Sequence, residues 1–161
     1  MSDEITRQQA MILLERANRL LARGEFADAM IVFNRSLATW PTSDAYIGLG
    51  RVYGRLNRNE EAIECCQRAI DINSTLGEPQ NDIGVYLMKL GRWEEAIPWL
   101  EKAIVAESYD SRQLPHLHLG QVHSHLGHYS TALAHLDRSL ELDPFHRPAI
   151  WAKYALLAKM S

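Results

Sequence analysis

Residues 83–103 read IGVYLMKLGRWEEAIPWLEKA, and the pattern of this stretch recurs elsewhere in the chain. A turn residue, an aromatic or polar residue and then an alanine recur in the same order in four places. The alanines of the four copies are Ala29, Ala62, Ala96 and Ala132, with separations of 33, 34 and 36 residues. A period of about 34 residues predicts an array of structural repeats.

Each copy is typical of two helices joined by a short turn. Gly24, Gly91 and Gly127 follow the first helix of their copies, where a left-handed residue ends a helix, and Asn57 takes that place in the second copy. Most prolines punctuate the units at helix ends or starts. The predicted helices are 4–22, 26–39, 44–56, 60–72, 79–90, 94–106, 114–126, 130–142 and 148–159. The spacer 107–112 is two residues longer than the period requires.

The alanine column has a physical reason. Two helix axes approach to about 8–10 Å only where the side chains at the crossing are small. We therefore expect these alanines to be buried, and enlarging one of them to leucine to cost about 1–3 kcal/mol of stability.

Composition excludes several classes of protein. The 17 Lys and Arg residues against 20 Asp and Glu residues give a net charge of −3, so binding to nucleic acid or to an anionic membrane is not expected. No apolar run approaches the roughly 20 residues that span a bilayer, and the first residues lack the apolar segment of a secretory signal. We expect a cytoplasmic protein in a reducing environment, where the adjacent Cys65 and Cys66 do not pair.

The repeated residues resemble the tetratricopeptide repeat (TPR) family. Its pattern has Leu-Gly and an aromatic residue in the first helix, followed by Gly, Ala and Ala. The third copy matches with Ile83-Gly84, Gly91, Ala96 and Ala103. The resemblance implies an all-α fold, a right-handed α-solenoid of antiparallel helix pairs. It predicts one domain over 1–161, with repeats at about 10–42, 43–76, 77–110 and 113–146 and a C-terminal helix at about 148–159.

The resemblance also implies a concave groove, lined by the first helices, that binds a peptide segment of a protein partner. The groove residues that it assigns are Asn18, Arg51, Arg55, Asn81, Asp82, Lys89, His118, Gln121 and His125. Arginine and lysine would hold acidic groups or carbonyls of the segment, and the amides would bond its backbone. The competing interpretation is that these charges only complement helix dipoles on a solvated surface.

The function expected is that of a non-enzymatic protein-interaction module: an adaptor, a scaffold or a chaperone-like protein that needs no cofactor. The alternative is an accessory enzyme subunit or a small-molecule binder. It would use a polar pocket of His118, Gln121, His125 and Arg55.

Six of the seven histidines fall between His116 and His135, which raises the question of a metal site. His118 and His125 are seven residues apart on one helix, about 10 Å along its axis, which is too far for one zinc ion. His116 and His123 have the same spacing. We therefore expect no specific metal site, with two core histidines and two groove histidines that protonate near pH 6.5.

The last predicted helix is unusually apolar for the end of a repeat array. Ile150, Tyr154 and Leu157 are expected to pack on the fourth repeat, with Leu156 and Met160 outside. Trp151, Ala155 and Ala158 then form an outward stripe, which predicts a homodimer or partner docking through this helix. The plainer alternative is a single tolerated surface tryptophan.

Overall fold

The computed structural model describes residues 2–161, and Met1, the first residue of the predicted domain, lies outside them. The described residues form nine α-helices: α1 Asp3–Ala22, α2 Phe26–Thr39, α3 Ser43–Arg55, α4 Asn59–Ile72, α5 Glu78–Lys89, α6 Trp93–Val105, α7 Gln113–His125, α8 Tyr129–Leu142 and α9 Arg147–Met160. Every predicted helix is present, and its ends agree to within one residue. The predicted all-α class is confirmed.

The described chain divides into two compact units, the first ending at Ser74 and the second spanning Thr75–Ser161. In the first unit α1 packs on α2 and α3 packs on α4, while α2 and α3 join the two pairs. In the second unit α5 packs on α6 and α7 packs on α8, and α9 contacts both α7 and α8. The single domain over 1–161 stays a prediction.

The helix ends follow the predicted turn residues. Gly24, Gly91 and Gly127 have φ values of 76°, 73° and 79°, and Asn57 has φ 59°. After α1, the amide of Glu25 donates to the carbonyl of Leu20 at 3.0 Å, so that the left-handed residue lets the chain satisfy the open end of the helix.

The core lies at the helix crossings, as the alanine column predicts. Ala29, Ala62, Ala96 and Ala132 are all fully buried. In the second unit, the first helix of each hairpin has a glycine at the crossing. A Cβ atom added at Gly84 would lie 2.4 Å from Leu100, and one added at Gly120 would lie 2.6 Å from Leu136. A side chain at either position would force the leucine to shift, so glycine is the residue that permits this approach.

A serine of the second helix donates to a backbone carbonyl of the first helix in two hairpins. The hydroxyl of Ser36 donates to the carbonyl of Ala10 at 2.9 Å, and that of Ser139 donates to the carbonyl of Gln113 at 2.7 Å. Both pairs are 26 residues apart in the chain, so the bond repeats with the hairpin.

The long spacer between α6 and α7 is an ordered part of the second unit. The Arg112 guanidinium donates to the carbonyls of Ile104, Tyr109 and Ala106 at 2.9, 2.6 and 2.6 Å. The Tyr109 side chain is buried against Gly77, and the amide of Gly77 donates to the carbonyl of Ser108 at 3.0 Å. One arginine therefore satisfies three carbonyls, two at the end of α6 and one in the spacer.

We expect Arg112→Lys to lower the free energy of unfolding by about 2–3 kcal/mol, because an ammonium cannot reproduce three hydrogen bonds from one planar group. Urea denaturation followed by circular dichroism measures the loss. Arg138→Lys is the matched control, since its exposed ion pair with Glu141 contributes little, about 0.5 kcal/mol or less. Equal stability of the two variants would contradict the assigned role of Arg112.

Candidate functional site

In the first unit, the predicted groove residues lie on α1 and α3. Asn18, Arg51 and Arg55 are all exposed. The Arg55 guanidinium carbon lies 5.5 Å from the centre of the Phe26 ring. This distance is within the range of a cation–π contact, so the ring helps to orient the arginine at the end of α3.

In the second unit, Asn81 does not lie where a peptide backbone would contact it. Its side chain is buried, with 3% of its surface exposed, and its Oδ1 is 2.9 Å from Nδ1 of His118. Both residues are predicted to present polar atoms to a partner. This prediction is wrong for Oδ1 of Asn81 and Nδ1 of His118, because these two atoms contact each other. They instead link α5 to α7 inside the unit.

The other predicted residues of α5 stand closer to the surface. Asp82 is half-buried and Lys89 is exposed at the end of the helix. The Lys89 ammonium is 5.7 Å from the centre of the buried Tyr86 ring. Lys89 therefore keeps a charge at the surface while its stem covers an aromatic ring.

A surface cavity of about 430 Å³ lies within the second unit. Helices α5 to α9 all contribute to it. Its lining residues are Met88, Trp93, Gly120, Gln121, Ser124, His125, Leu136, Ala152, Ala155 and Lys159. Two of the predicted groove residues, Gln121 and His125, are among them. One residue of the predicted self-association stripe, Ala155, lines the same cavity.

The wall of the cavity combines a flat aromatic surface with a few polar groups. The rings of Trp93 and His125 are stacked, with centroids 4.0 Å apart and an angle of 19° between their planes. Met88 and Leu136 add apolar surface, while Gln121 offers an amide. Such a cavity can accept a bulky apolar side chain or a flat ring with a nearby polar or acidic group.

The prediction of which α9 residues pack on the fourth repeat is wrong in part. Ala149 and Leu156 are the buried residues of this helix, whereas Tyr154 and Leu157, expected to pack on the fourth repeat, are 66% and 39% exposed. Trp151 is 73% exposed, and Ala155 and Ala158 are also exposed. The helix is therefore rotated from the predicted register. Its exposed apolar surface includes Tyr154.

The histidines depart from their expected protonation. Burial, followed by the nearby His146, lowers the pKa of His118 to about 4, so it does not protonate near pH 6.5 as predicted for a groove histidine. Burial also lowers the pKa of His116 to about 4. In residues 2–161 no group of three or more His, Cys, Asp or Glu side chains is placed to hold a metal ion.

A smaller cavity of about 290 Å³ lies in the first unit, beside α3 and α4. Its lining residues are Tyr46, Leu49, Tyr53, Glu61, Glu64, Cys65 and Arg68. Burial and the neighbouring glutamates raise the pKa of the Cys65 thiol to about 12. This thiol is therefore protonated at neutral pH and is a poor nucleophile.

The comparison with family models identifies the repeats. Three segments, residues 43–76, 80–105 and 116–146, each match a model described as tetratricopeptide repeat, and together they cover more than half of the chain. The chain belongs to the tetratricopeptide repeat family. The predicted resemblance to this family is thereby confirmed.

Solved structures support the same fold, an all-α helical-repeat solenoid. A Pseudomonas aeruginosa pilF structure has a TM-score of 0.88 and 24% identity, and the match covers 96% of this chain and 70% of that one. YrrB, described as a TPR protein with an unusual peptide-binding site, has a TM-score of 0.71 and 23% identity over 94% of this chain and 77% of its own.

A third similar structure is PilW, described as a widely conserved type IV pilus biogenesis factor. Its TM-score is 0.82 at 25% identity, with 88% of this chain and 66% of PilW covered. A search of curated proteins finds no match. Within residues 2–161 no helix is both long and apolar enough to span a bilayer.

We expect the free energy of unfolding to be highest above pH 6.5 and to fall as the pH drops toward 4. The lowered pKa of His118 means that the unfolded chain binds a proton in this window and the folded chain does not. The contribution of this one residue is on the order of 2–3 kcal/mol. Urea denaturation at pH 7.0, 5.5 and 4.5 measures it.

His118→Gln is expected to reduce this pH dependence by the share of one histidine, because that titrating group is removed while a side-chain amide remains beside Asn81 and His116 keeps its own contribution. His125→Gln is the control at an exposed position of the same helix and should keep the wild-type slope. Identical slopes in all three proteins would show that His118 is not the group responsible.

Proposed function

We propose that this protein binds a short segment of a partner protein along its first helices, and that the cavity of the second unit receives one side chain of that segment. The tetratricopeptide repeats make the chain a protein-interaction module. The observation that carries the proposal is the 430 Å³ cavity, because Gln121 and His125 line it together with α9.

The chemistry of the cavity favours a particular kind of segment. The stacked Trp93 and His125 rings and the side chain of Met88 suit a large apolar or aromatic side chain. Lys159 lines the same cavity, and Gln121 can bond a backbone group. The segment proposed therefore carries an apolar side chain next to an acidic residue, so that both the ring stack and the ammonium are used.

The exposed cations of each unit support binding of a partner segment within that unit. Arg51 and Arg55 are exposed one helical turn apart on α3, and Lys89 is exposed at the end of α5. Side chains four residues apart share one face of a helix. Arg51 and Arg55 would hold acidic groups or carbonyls of a segment bound in the first unit, where Asn18 would bond its backbone, and Lys89 would do the same in the second unit.

The similar structures support a peptide or protein as the class of ligand, and they support no finer role. YrrB is described as having a peptide-binding site, and PilW is described as a pilus biogenesis factor. An adaptor, a scaffold and a chaperone-like role are all compatible with capture of a segment. The protein is proposed to act by binding alone, as a non-enzyme. Its cytoplasmic location stays a prediction.

One observation favours a second candidate function, a small-molecule binder or accessory enzyme subunit. The cavity falls within the range of about 300–1,000 Å³ that is typical of small-molecule sites. Of the four residues predicted for such a pocket, Gln121 and His125 line the cavity. His118 is bonded to Asn81, and Arg55 belongs to the first unit. A thermal-shift screen of small molecules tests this candidate.

We expect Lys159→Glu to weaken capture of an acidic segment about tenfold or more, because an attractive charge at the cavity becomes a repulsive one. The partner is first recovered from native lysate by pull-down and mass spectrometry, and overlapping peptides from it are then titrated by fluorescence anisotropy. Arg51→Glu with Arg55→Glu is expected to abolish capture while the far-UV circular dichroism stays unchanged.

Lys102→Glu is the matched control for this experiment. Lys102 is exposed on α6, with its ammonium 4.5 Å from the centre of the Trp99 ring, and it does not line the cavity. Peptide affinity should be the same in Lys102→Glu as in the wild type. If Lys159→Glu matches Lys102→Glu, the cavity does not hold the acidic segment.

A second contact surface is proposed on α9, where a second copy of the chain would cover Trp151, Ala155 and Ala158. Sedimentation velocity should then find a dimer for the wild type and a monomer for Trp151→Glu. Val105→Glu, at a 79% exposed position of α6, is the control and should remain dimeric. A monomeric wild type would contradict the proposed dimer.

A further inference from the structure

Four histidines form a row between α7 and α8, here called the histidine ladder: His116, His123, His128 and His135. Nδ1 of His116 lies 3.2 Å from Nδ1 of His135, and Nδ1 of His123 lies 3.3 Å from Nδ1 of His128. The rings of His123 and His135 are stacked, with centroids 5.7 Å apart. The two nitrogen pairs are therefore neighbours in one cluster.

The distance between the two Nδ1 atoms of each pair matches the distance between two ligand atoms bound to one metal ion. Two imidazole nitrogens bound at about 2.0–2.1 Å lie about 3.3 Å apart at a tetrahedral angle and about 2.9 Å apart at a right angle. Both measured distances fall in this interval. Little side-chain movement is needed for two nitrogens of a pair to face one ion.

Three of the four ladder residues, His116, His123 and His135, are also in the protonation state that a metal requires. Burial, followed by neighbouring histidines, lowers the pKa of His123 and His135, as it does for His116. These imidazoles are therefore neutral at pH 7 and keep a nitrogen lone pair for coordination. Glu101 on α6 acts on both His123 and His135, and its negative charge would favour a cation at this end of the ladder.

The opposite end of the ladder carries charges of both signs. Arg138 disfavours a proton on His116 and Glu141 favours one, and these two residues form an exposed ion pair at 2.8 Å. At His116 the negative charge of Glu141 favours a cation and the positive charge of Arg138 disfavours one, with Arg138 the larger of the two effects. The three ladder residues within α7 and α8 are only half-buried, and His128 is exposed, so water and ions reach the row from solvent.

We propose that each nitrogen pair of the histidine ladder binds one divalent late transition-metal ion, Zn²⁺, Ni²⁺ or Cu²⁺, with water completing its coordination. Imidazole is a preferred ligand of all three ions, and Cu²⁺ should bind most tightly. Two protein ligands make an open and exchangeable site, which agrees with the absence of any three-ligand group among the described residues. The inference is independent of the peptide-binding proposal, because none of the four histidines lines the cavity.

The competing explanation is that each pair is only a hydrogen bond between two neutral imidazoles with complementary tautomers. In that arrangement one Nδ1 carries a hydrogen and the other accepts it. A metal ion would have to displace this hydrogen to the outer nitrogen of the donor ring. Metal titration therefore separates the two explanations.

The full chain is first freed of metal with a chelator, and the chelator is then removed. The metal-free chain is titrated with CuCl₂ and, separately, with ZnCl₂ at pH 7.5. We expect isothermal titration calorimetry to give two ions per chain, and the Cu²⁺ electron paramagnetic resonance spectrum to show coupling to nitrogen. His116→Gln or His135→Gln should remove one ion, and His128→Gln should remove the other. His116→Gln with His128→Gln should remove both.

The matched control is His125→Gln with His146→Gln, which removes the same number of histidines outside the ladder and should keep both ions. His128 is exposed, so its substitution should leave the far-UV circular dichroism unchanged even if a half-buried histidine proves necessary for folding. The proposal would be overturned if the wild type bound no metal. It would also be overturned if the metal affinity of the wild type exceeded that of His116→Gln with His128→Gln by less than about tenfold. Equal loss in the control would overturn it as well.

Discussion

The close approach of a first-helix glycine to a large second-helix side chain is the constraint on which each hairpin of the second unit depends. Leu100 and Leu136 are fully buried, and each occupies the space that a Cβ atom would need at Gly84 or Gly120. Because the leucines cannot move without opening the core, the helix axes stay close together. The alanines at the same crossings serve the same purpose.

This approach also shapes the cavity. Gly120 and Leu136 both line it, and Gln121 follows Gly120 directly on α7. The residue that lets α7 meet α8 therefore stands next to a residue predicted to meet a partner. The same helix presents other residues, His116 and His123, to α8 as half of the histidine ladder. Packing, the cavity and the ladder thus share one helix, and Gly120 lies on the same face as His116 and His123.

The sequence predicts the helices well and the site only in part, for physical reasons. Helix ends depend on local signals such as Gly91 and Asn57, which need no knowledge of neighbouring helices. The period also places Gln121 and His125 in two columns on one face of α7, and both residues line the cavity. The period cannot predict how far a neighbouring helix covers a column of residues. It therefore does not predict the burial of Asn81 beside His118.

Long-range contacts explain the other departures. Arg112 finds its three carbonyl partners only when the spacer folds back on itself, and no repeat column predicts that fold. On α9 the apolar residues form more than one possible stripe, so only packing decides that Leu156 is buried and Tyr154 is exposed. Distances along one helix exclude a metal site, whereas the ladder forms between two helices, where His116 meets His135.

The most direct test of the helix-crossing constraint is a double-mutant cycle of Gly84→Ala and Leu100→Ala, measured by urea denaturation. Gly84→Ala alone should lower the free energy of unfolding by about 1–3 kcal/mol, because its methyl group would collide with Leu100. In the Leu100→Ala background the same change should cost almost nothing, since the methyl group fills vacated space. Additive losses would contradict the account.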